Sequence, residues 1–282
     1  MSDLRRAAGD AYDLQSAPFS RIASAIGVGG VGVASGESPL SDADAVLVRT
    51  MPPGSLEQVV FRMDALAQLE AAGVVVMNPA RAIEAAVDKY LATARLHAVG
   101  LPTPTTHACQ TVDDAMTAFD ALGGRAVLKP IFGGEGRGVT LLDDAAMARR
   151  AFALLEQLGA VILLQEFVPS DAARGAVDYR LLVIGDRVLG IKRVSDGDWR
   201  TNVSLGGRAE PLEVTGELAE LAHRAAAAVG APLAGIDVLP ARDGRRLVLE
   251  VNAVPGWRAL TRVTGVDVAR LVLELLKQKV VA

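Results

Sequence analysis

Three residues near the carboxyl end of the chain have the types and spacing of a metal site. Asp243-Gly244 is a two-residue turn signal between two apolar runs, and a turn there places Asp237 directly opposite Glu250 in a β-hairpin. Opposed side chains share a face, and Asn252 lies on that face because strand side chains alternate. Opposed carboxylates repel unless a cation lies between them, and these oxygen ligands suit Mg²⁺ or Mn²⁺. The alternative interpretation is an exposed hairpin whose acids face water.

A glycine-rich loop in the middle of the chain is a second candidate for chemistry. Residues 132–139 (FGGEGRGV) join two predicted strands, and Lys129 stands just before them. Glycines let backbone N–H groups approach phosphate oxygens, to which Lys129 would add a positive charge. The Gly-Lys-Ser/Thr of a Walker loop is absent from this sequence, and a hairpin tip with a strand lysine is the other interpretation.

A second hairpin is predicted over residues 178–193, with Gly185-Asp186 as its turn. It places Asp178 opposite Arg193, with Arg180 on the same face, and a structural ion pair would explain this arrangement. Basic residues are nevertheless dense here, which suits the binding of polyphosphate or carboxylate. They are Lys192, Arg193, Arg200 and Arg208, and the polar loop 199–207 (WRTNVSLGG) lies among them.

The elements that position these residues alternate as in an α/β fold. Residues 45–49 and 74–77 are predicted strands on either side of a helix over 55–72, which indicates a small parallel sheet. The strand that normally opens such a unit is missing before residue 45. Residues 27–32 spell GxGxxG without the strand and helix of a dinucleotide site, which favours a flexible loop over a Rossmann site.

The helix predicted over residues 83–99 carries Asp88-Lys89, an adjacent pair typical of a solvated surface. Further helices are predicted at 112–122, 143–158, 216–229 and 266–279. The apolar strand 161–168 (VILLQEFV) ends next to a linker. We therefore expect a hinge between two lobes there, with backbone groups able to contact a purine edge.

Composition excludes several functional classes. The net charge of −4 and the lack of a long basic run argue against nucleic-acid binding, and no apolar stretch is long enough to cross a membrane. Cys109 is the single cysteine, so neither an intramolecular disulfide nor a thiolate zinc site can form. Without a signal peptide in this sequence, we expect a cytoplasmic protein.

The order of these motifs resembles the ATP-grasp superfamily, and in particular its RimK-type glutamate ligases. The matching segments are Asp88-Lys89, VLKP before the glycine loop, QEFV, DYRLLVIGD, WRTNVSLGG, GIDVL and LEVNAVPG. The resemblance implies an α/β fold with α+β lobes. A small N-terminal parallel α/β domain (1–80, without its first strand) would precede a central lobe (81–168) and a C-terminal lobe (169–282) that clasp ATP.

The resemblance also implies roles for individual residues. Two lysines would contact the phosphates, residues 165–168 would form the adenine-side hinge, and Asp178 would hold the ribose end. The implied nucleotide-binding set is Lys89, Lys129, Gly133, Gly134, Gln165, Glu166, Phe167, Val168, Asp178, Arg200 and Asn202. Arg193, Arg200 and Asn202 would line the triphosphate and the reacting carboxylate. Asp237, Glu250 and Asn252 would hold two Mg²⁺ (or Mn²⁺) ions.

The implied reaction is ATP-dependent amide formation through an acyl phosphate, with L-glutamate as the amine and a small-molecule carboxylate as the acceptor. Pro255-Gly256-Trp257-Arg258 resembles the branch that glutamylates tetrahydromethanopterin-type cofactors. Trp257 would either stack on a flat acceptor ring or plug the lobe interface. Two alternatives remain open: a glutamate ligase acting on a protein C-terminus or an amino-group carrier protein, and a nucleotide-binding module without catalysis. A homo-oligomer is compatible with each.

Overall fold

The computed structural model describes residues 2–28, 30–133, 136–172, 175–201 and 206–281 of the 282-residue chain. Gly134 and Asn202, two of the predicted site residues, lie outside these ranges. Within them the helices are α1 (Ser2–Ala8), α2 (Leu56–Ala71), α3 (Ala80–Val87), α4 (Lys89–Ala98), α5 (Val112–Ala121), α6 (Ala145–Gln157), α7 (Gly216–Val229), α8 (Arg258–Thr264) and α9 (Val268–Val281).

The strands of the described ranges form four sheets. They are β1 (Ile22–Gly27), β2 (Gly30–Ser35), β3 (Ser38–Pro39), β4 (Ala45–Leu47), β5 (Val75–Met77), β6 (Thr106–Cys109), β7 (Ala126–Lys129), β8 (Thr140–Leu142), β9 (Ile162–Glu166), β10 (Ala176–Ile184), β11 (Arg187–Ser195), β12 (Arg208–Pro211), β13 (Leu233–Pro240) and β14 (Arg246–Asn252). The mixture of helices with parallel and antiparallel sheets confirms the predicted α/β class.

The N-terminal unit contains the predicted parallel pair, β4 and β5, connected through α2. Ser55 caps α2 because its hydroxyl accepts the Gln58 backbone N–H while the Gln58 side chain accepts the N–H of Ser55. The prediction of a flexible loop at residues 27–32 was wrong. β1 and β2 form a regular antiparallel hairpin there, since glycine weakens a strand pattern without forbidding the strand.

The single helix predicted over residues 83–99 is two helices. Asp88 has an extended backbone and caps α4, with its Oδ1 accepting the Leu91 backbone N–H at 2.9 Å. The backbone N–H of Lys89 instead donates to the carbonyl of Ile131 at 3.1 Å. Lys89 therefore begins a helix beside the glycine loop and is not a solvated residue in mid-helix.

A four-stranded antiparallel sheet, ordered β6-β9-β7-β8, carries Lys129 and Gln165. Helices α5 and α6 cover one face, where Phe119 and Phe152 contact each other edge to face with centroids 6.3 Å apart. This sheet and its two helices have a hydrophobic core of their own.

The C-terminal sheet is antiparallel and five-stranded, in the order β12-β11-β10-β13-β14. The predicted hairpin with its turn at Gly185-Asp186 is confirmed, and Asp178 lies opposite Arg193. Helices α3, α4 and α7 share the core of this sheet with the N-terminal unit. The domain boundaries predicted from the sequence placed α3 and α4 in the central lobe. In the structure, these two helices pack against the C-terminal sheet.

Two buried side chains join the N-terminal unit to the C-terminal sheet. Asn78 Nδ2 donates to the carbonyls of Leu233, at 2.6 Å, and of Ala253, while its Oδ1 accepts the Leu233 N–H. Trp257 is 2 % exposed and donates its indole N–H to Asp3 at 2.8 Å. The Arg49 guanidinium covers its ring, 3.5 Å from the centroid. Trp257 is therefore a plug between elements, and stacking on an acceptor is incompatible with this burial.

Candidate active site

A cleft lies between the four-stranded and the five-stranded sheets, and it collects most of the predicted site residues. Those that line it are Lys89, Lys129, Gly133, Gln165, Glu166, Phe167, Val168, Asp178, Arg193, Arg200, Asp237 and Glu250. Asn252 is not among the lining residues, and its Oδ1 accepts the Val254 N–H at 2.8 Å. Residues from widely separated parts of the chain therefore meet in one cavity.

Asp237 and Glu250 lie directly opposite each other on β13 and β14, as predicted. The turn between these strands is different from the predicted one. The Ala241 N–H donates to the Arg245 carbonyl at 2.8 Å, which leaves a loop of three residues in place of two. Nearer the cleft, Val238 lies opposite Val248, so residue 249 is a β-bulge that restores the pairing at Glu250.

Arginines hold one of the two carboxylates. Arg180 Nη1 lies 2.6 Å from Asp237 Oδ1, and Arg193 Nη2 lies 2.9 Å from Asp237 Oδ2. Burial acts to raise the pKa of Asp237, but the two guanidiniums outweigh it and lower the pKa to about 2. The approach of Arg180 requires a glycine beside it, because a Cβ on Gly235 would lie 2.6 Å from its Cζ. Asp237 is therefore ionised throughout the neutral pH range.

Arg193 is held from its other side by Asp178. Nε and Nη2 of Arg193 donate to the two Asp178 oxygens at 2.6 and 2.7 Å, and the Thr201 hydroxyl donates to Oδ2 as well. Burial opposes the charge of Arg193, but Asp237 and Asp178 outweigh it and raise its pKa. This bidentate pair sets the orientation of the Arg193 guanidinium at the wall of the cleft.

Glu250 differs from its opposed partner. Within the described residues its carboxylate makes no hydrogen bond or ion pair with another side chain. Burial, together with repulsion from Asp237, raises the pKa of Glu250, while Lys89 and Lys129 lower it. The described chain contains no cluster of three His, Cys, Asp or Glu residues suited to a metal. The donors that the cleft itself presents are the two carboxylates, Asp237 and Glu250, and such oxygen ligands fit a hard cation such as Mg²⁺. The third predicted ligand, Asn252, lies two residues beyond Glu250 on β14 and outside the lining of the cleft.

The two predicted phosphate-binding lysines also line the cleft, with Lys129 on β7 across from these carboxylates and Lys89 at the start of α4. Lys129 Nζ donates to Gln165 Oε1, and Gln165 Nε2 donates to the Thr106 hydroxyl at 3.0 Å. Burial lowers the pKa of Lys129 to about 8, against the opposing charge of Glu250. Gln165, predicted at the adenine side, is thus buried and also fixes the lysine that precedes the glycine loop.

Lys89 contacts the glycine loop directly, because its Nζ donates to the carbonyl of Gly133. Gly133 has φ of +123°, a conformation that side chains rarely allow, so glycine is required at this turn. Burial lowers the pKa of Lys89, and the Glu250 carboxylate opposes that shift. The start of α4, the glycine loop and the Glu250 end of β14 therefore lie close together.

The end of the cleft near Phe167 is apolar and aromatic, which residue spacing did not reveal. Phe167 and Trp199 contact each other edge to face at 6.0 Å, and the Arg125 guanidinium lies 4.2 Å from the Phe167 centroid. The sequence interpretation noted Trp199 only as part of a polar loop. Further lining residues that it did not single out are Pro104, Val127, Val139, Val177, Leu239 and Leu249. Together these side chains form a slot suited to a flat base.

Arg200 also lines the cleft but is half-exposed and paired within its own loop. Its guanidinium lies 2.8 Å from Asp198, which raises the pKa of Arg200. The neighbouring Asn202 lies outside the described residues. Arg200 is therefore placed at the rim, whereas Arg193 lies deep in the wall.

Comparisons with known proteins agree with this architecture. The RimK-like ATP-grasp domain family matches residues 86–276. The chain is 34% identical over 272 residues to a tetrahydromethanopterin:alpha-L-glutamate ligase of Methanosarcina acetivorans, covering 86% of this chain and 82% of that protein. It is 36% identical over 245 residues to a probable alpha-L-glutamate ligase of Xanthomonas euvesicatoria, covering 86% and 80%.

Solved structures show the same fold. A structure of the ATP-grasp ligase PsnB with its minimal precursor superposes with a TM-score of 0.75 at 23% identity, over 99% of this chain and 94% of that one. A PsnB structure that also contains Mg and ADP has a TM-score of 0.71 at 22% identity, over 100% and 94%. Together, the fold and the cleft define an ATP-grasp ligase, an enzyme that uses ATP to join two substrates. The chain belongs to the RimK-like ATP-grasp family.

No helix in the described part of the chain has both the length and the hydrophobicity needed to span a bilayer.

Proposed function

We propose that this enzyme uses ATP and Mg²⁺ (or Mn²⁺) to add L-glutamate to a carboxylate of a small cofactor similar to tetrahydromethanopterin. The observation that carries the proposal is the position of Glu250. It lies opposite Asp237 in the cleft and interacts electrostatically with Lys129 of the four-stranded sheet and with Lys89 at the start of α4. A nucleoside triphosphate with its bound cation would complement both groups, because the cation binds the carboxylates and the phosphates bind the lysines.

In this proposal the nucleotide lies along the cleft. Lys89, Lys129 and the loop at Gly133 bind the phosphates, and the Gln165–Val168 segment with the aromatic slot binds the base. Gly134 and Asn202 belong to the same set on the strength of the family resemblance. The contacts of Asp178 favour the orientation of Arg193 as its role, since both its oxygens already have protein partners.

Asp237, Glu250 and Asn252 hold the cations, and we propose two ions. When bound, Mg²⁺ neutralises charge that develops on the transferred phosphoryl group. Arg180 and Arg193 keep Asp237 ionised and oriented before the nucleotide binds. The raised pKa of Glu250 reflects a carboxylate that gains most from a cation at this position.

The reaction proceeds in two displacements. An oxygen of the acceptor carboxylate attacks the γ-phosphorus of ATP, the bond to ADP breaks, and an acyl phosphate forms. The α-amino group of L-glutamate then attacks the acyl carbon, phosphate leaves with the bonding electrons, and the nitrogen loses a proton to give the amide. Arg193, Arg200 and Asn202 stabilise negative charge on the reacting groups. No covalent enzyme nucleophile is required.

The proposed acceptor is a carboxylate of a tetrahydromethanopterin-like cofactor. Its support is the 34% identity to the tetrahydromethanopterin ligase, together with the Pro255-Gly256-Trp257-Arg258 segment. The cofactor ring cannot stack on the buried Trp257, so the acceptor must be held by other groups.

A direct test measures ADP release with candidate acceptors, with L-glutamate present or omitted, and identifies products by mass spectrometry. We expect ADP release that requires both substrates and a product heavier by one glutamyl unit. Modification of a protein C-terminus or of an amino-group carrier protein, without a small-molecule product, would replace the acceptor. Nucleotide binding without turnover for any acceptor would refute the ligase proposal.

A further inference from the structure

Helix α8 lies on the face of the five-stranded sheet that carries the charged residues of the cleft. Leu182 shares a face with Arg180 on β10, because strand side chains alternate. Ile191 has the same relation to Arg193 on β11. Leu260 of α8 belongs to the same buried core as Leu182 and Ile191, and α8 contacts β11. The surface on which α8 packs therefore begins one same-face step, about 7 Å along the strands, beyond the two arginines.

The order of features along β10 places α8 on the far side of the metal carboxylates from the proposed nucleotide. Residues 176–178 line the nucleotide cleft. Arg180 follows beside Asp237, and Leu182 then lies in the core that includes α8. An acceptor attacks the γ-phosphorus roughly in line with the departing ADP, from the opposite side. In the proposed orientation of ATP, that side is the one where α8 lies.

Helix α8 presents two arginines that have no acidic partner among the described residues. Arg258 and Arg262 are four residues apart, so they lie on the same side of the helix, and both are exposed. Residues 251–266 contain no Asp or Glu, and the next acid, Asp267, pairs with Arg6 at 3.1 Å. Within the described ranges neither α8 arginine forms an ion pair with another side chain. Like charges at this spacing destabilise a helix, so a bound anion would stabilise this one.

Arg49 adds a third positive charge beside this pair. It lies two residues beyond β4, at the carboxyl end of a parallel strand, where α/β units commonly bind ligands. Its Nη1 donates to the carbonyl of Pro255 at 2.8 Å, and its guanidinium covers Trp257, the residue before Arg258. Burial lowers the pKa of Arg49 to about 10, Asp3 opposes this shift, and the charge of Arg258 adds to it. The guanidiniums of Arg49 and Arg258 therefore repel each other, and an anion beside them would relieve the repulsion.

We propose that Arg258 and Arg262, with Arg49 beside them, bind an anionic group of the acceptor, a carboxylate or a phosphate other than the carboxylate that reacts. This inference rests on the proposed function, because it takes the ligase reaction and the orientation of ATP from it. Guanidinium groups bind both kinds of anion through paired, charge-assisted hydrogen bonds. L-Glutamate fits this position less well, because its carboxylates lie within a few bonds of the amine that must reach the acyl carbon. The enzyme therefore selects an acceptor with a second negative charge at a distance from its reacting carboxylate.

Kinetic constants with tetrahydromethanopterin as the acceptor test this assignment. We expect Arg258→Gln and Arg262→Gln each to raise the KM for the acceptor about tenfold, with the KM values for ATP and L-glutamate unchanged. Arg149→Gln is the matched control, because Arg149 is an exposed arginine on α6 of the other lobe, and it should change none of the three constants. The thermal unfolding midpoint should not fall in the α8 variants, since each substitution removes a repulsion. An unchanged acceptor KM in both α8 variants, or a shift confined to the KM for L-glutamate, would overturn the proposal.

Protection from chemical modification tests the anion site without any turnover. Phenylglyoxal modifies accessible arginines, and mass spectrometry locates the modified residues. With ADP and Mg²⁺ present, glutarate or inorganic phosphate should slow the modification of Arg258 and Arg262 but not of Arg149, relative to chloride at the same ionic strength. Protection by glutarate alone would assign a carboxylate to the site, and protection by phosphate alone would assign a phosphate.

The two readouts separate this inference from the proposed function. Equal modification rates with and without both anions would refute the anion site, even in a protein that releases ADP. Protection of the two α8 arginines in a protein that releases no ADP with any acceptor would refute the ligase proposal instead.

Discussion

Arg180 Nη1 lies 2.6 Å from Asp237 Oδ1, so a proposed metal ligand is already neutralised by a buried guanidinium from the neighbouring strand. Arg193 holds the other oxygen of the same carboxylate. Both partners are largely removed from water, and loss of one partner of a buried ion pair leaves an uncompensated charge. Arg180 therefore stabilises the fold as well as the geometry of the cleft.

Replacement of Arg180 by methionine should lower the free energy of unfolding by about 3 kcal/mol. The physical reason is that Asp237 would then share the charge of Arg193 with Asp178, which leaves two buried carboxylates around one guanidinium. Urea denaturation measures the effect. Arg246→Met is the control, because Arg246 pairs with Glu217 at an exposed site and the loss should be at most about 1 kcal/mol. Equal losses in the two variants would contradict this account.

Gly235→Ala should disturb the same ion pair, because the new side chain would collide with the Arg180 guanidinium. The added methyl group would lie 2.6 Å from Cζ of Arg180, which cannot move away without leaving Asp237. We expect a loss of stability comparable to that of Arg180→Met. Gly216→Ala has no atom within 4 Å of the new Cβ and should be neutral or slightly stabilising. A fully stable Gly235→Ala protein would show that Arg180 has another position available.

Glu250→Gln should retain the fold and lower the rate of ADP release by about 100-fold or more, because it removes a charged metal ligand. Its thermal unfolding midpoint should not fall, since the substitution relieves repulsion from Asp237. Glu217→Gln, on the surface of α7, should leave activity unchanged. Activity near that of the unsubstituted enzyme in Glu250→Gln would remove the proposed metal site.

Affinity for ATP should depend on pH through Lys129. Its pKa of about 8 means that its positive charge falls about tenfold for each pH unit above 8. The KM for ATP should therefore rise from pH 8 to pH 9.5, and Lys129→Arg, which stays charged, should show a flatter profile. Identical profiles would exclude Lys129 as a phosphate ligand.

The lowered pKa of Lys129 weakens ATP binding as pH rises but should increase the free energy of unfolding over the same range. Above pH 8 the unfolded chain still binds the proton that folded Lys129 has released, so this residue makes the protein more stable as pH rises toward 10.5. Lys129→Met should abolish that contribution. Denaturant titrations of both proteins at two pH values measure the difference.

Nucleotide binding should be visible in the fluorescence of Trp199. Trp199 lines the cleft against Phe167, whereas Trp257, the other tryptophan of the chain, is buried beneath Arg49. We expect ADP or ATP to change the emission, and Trp199→Phe to lose that change while keeping the Trp257 signal. An unchanged response in Trp199→Phe would place the nucleotide away from the aromatic slot.

Local features of the fold were predictable because their determinants are neighbours in the chain. Ser55 and Gln58 mark the start of α2, and Gly185-Asp186 specifies the register that pairs Asp178 with Arg193. The prediction failed where an apolar pattern continues through a break. Asp88 ends one helix and caps the next, although the apolar spacing suggests a single helix. A competing side-chain cap is stronger there than periodicity.

The pairing of Asp237 with Glu250 shows what the local sequence pattern determines and what only the tertiary structure determines. Sequence patterning predicted the pair from a two-residue turn, whereas the folded chain has a three-residue loop and a compensating bulge at residue 249. The strand pattern identifies which residues share a face, because alternation is local. The contact of Arg180 with Asp237, 57 residues apart, depends on how the sheets pack, and so does the influence of Lys89 and Lys129 on Glu250. That packing is a property of the whole core, so no stretch of sequence contains it.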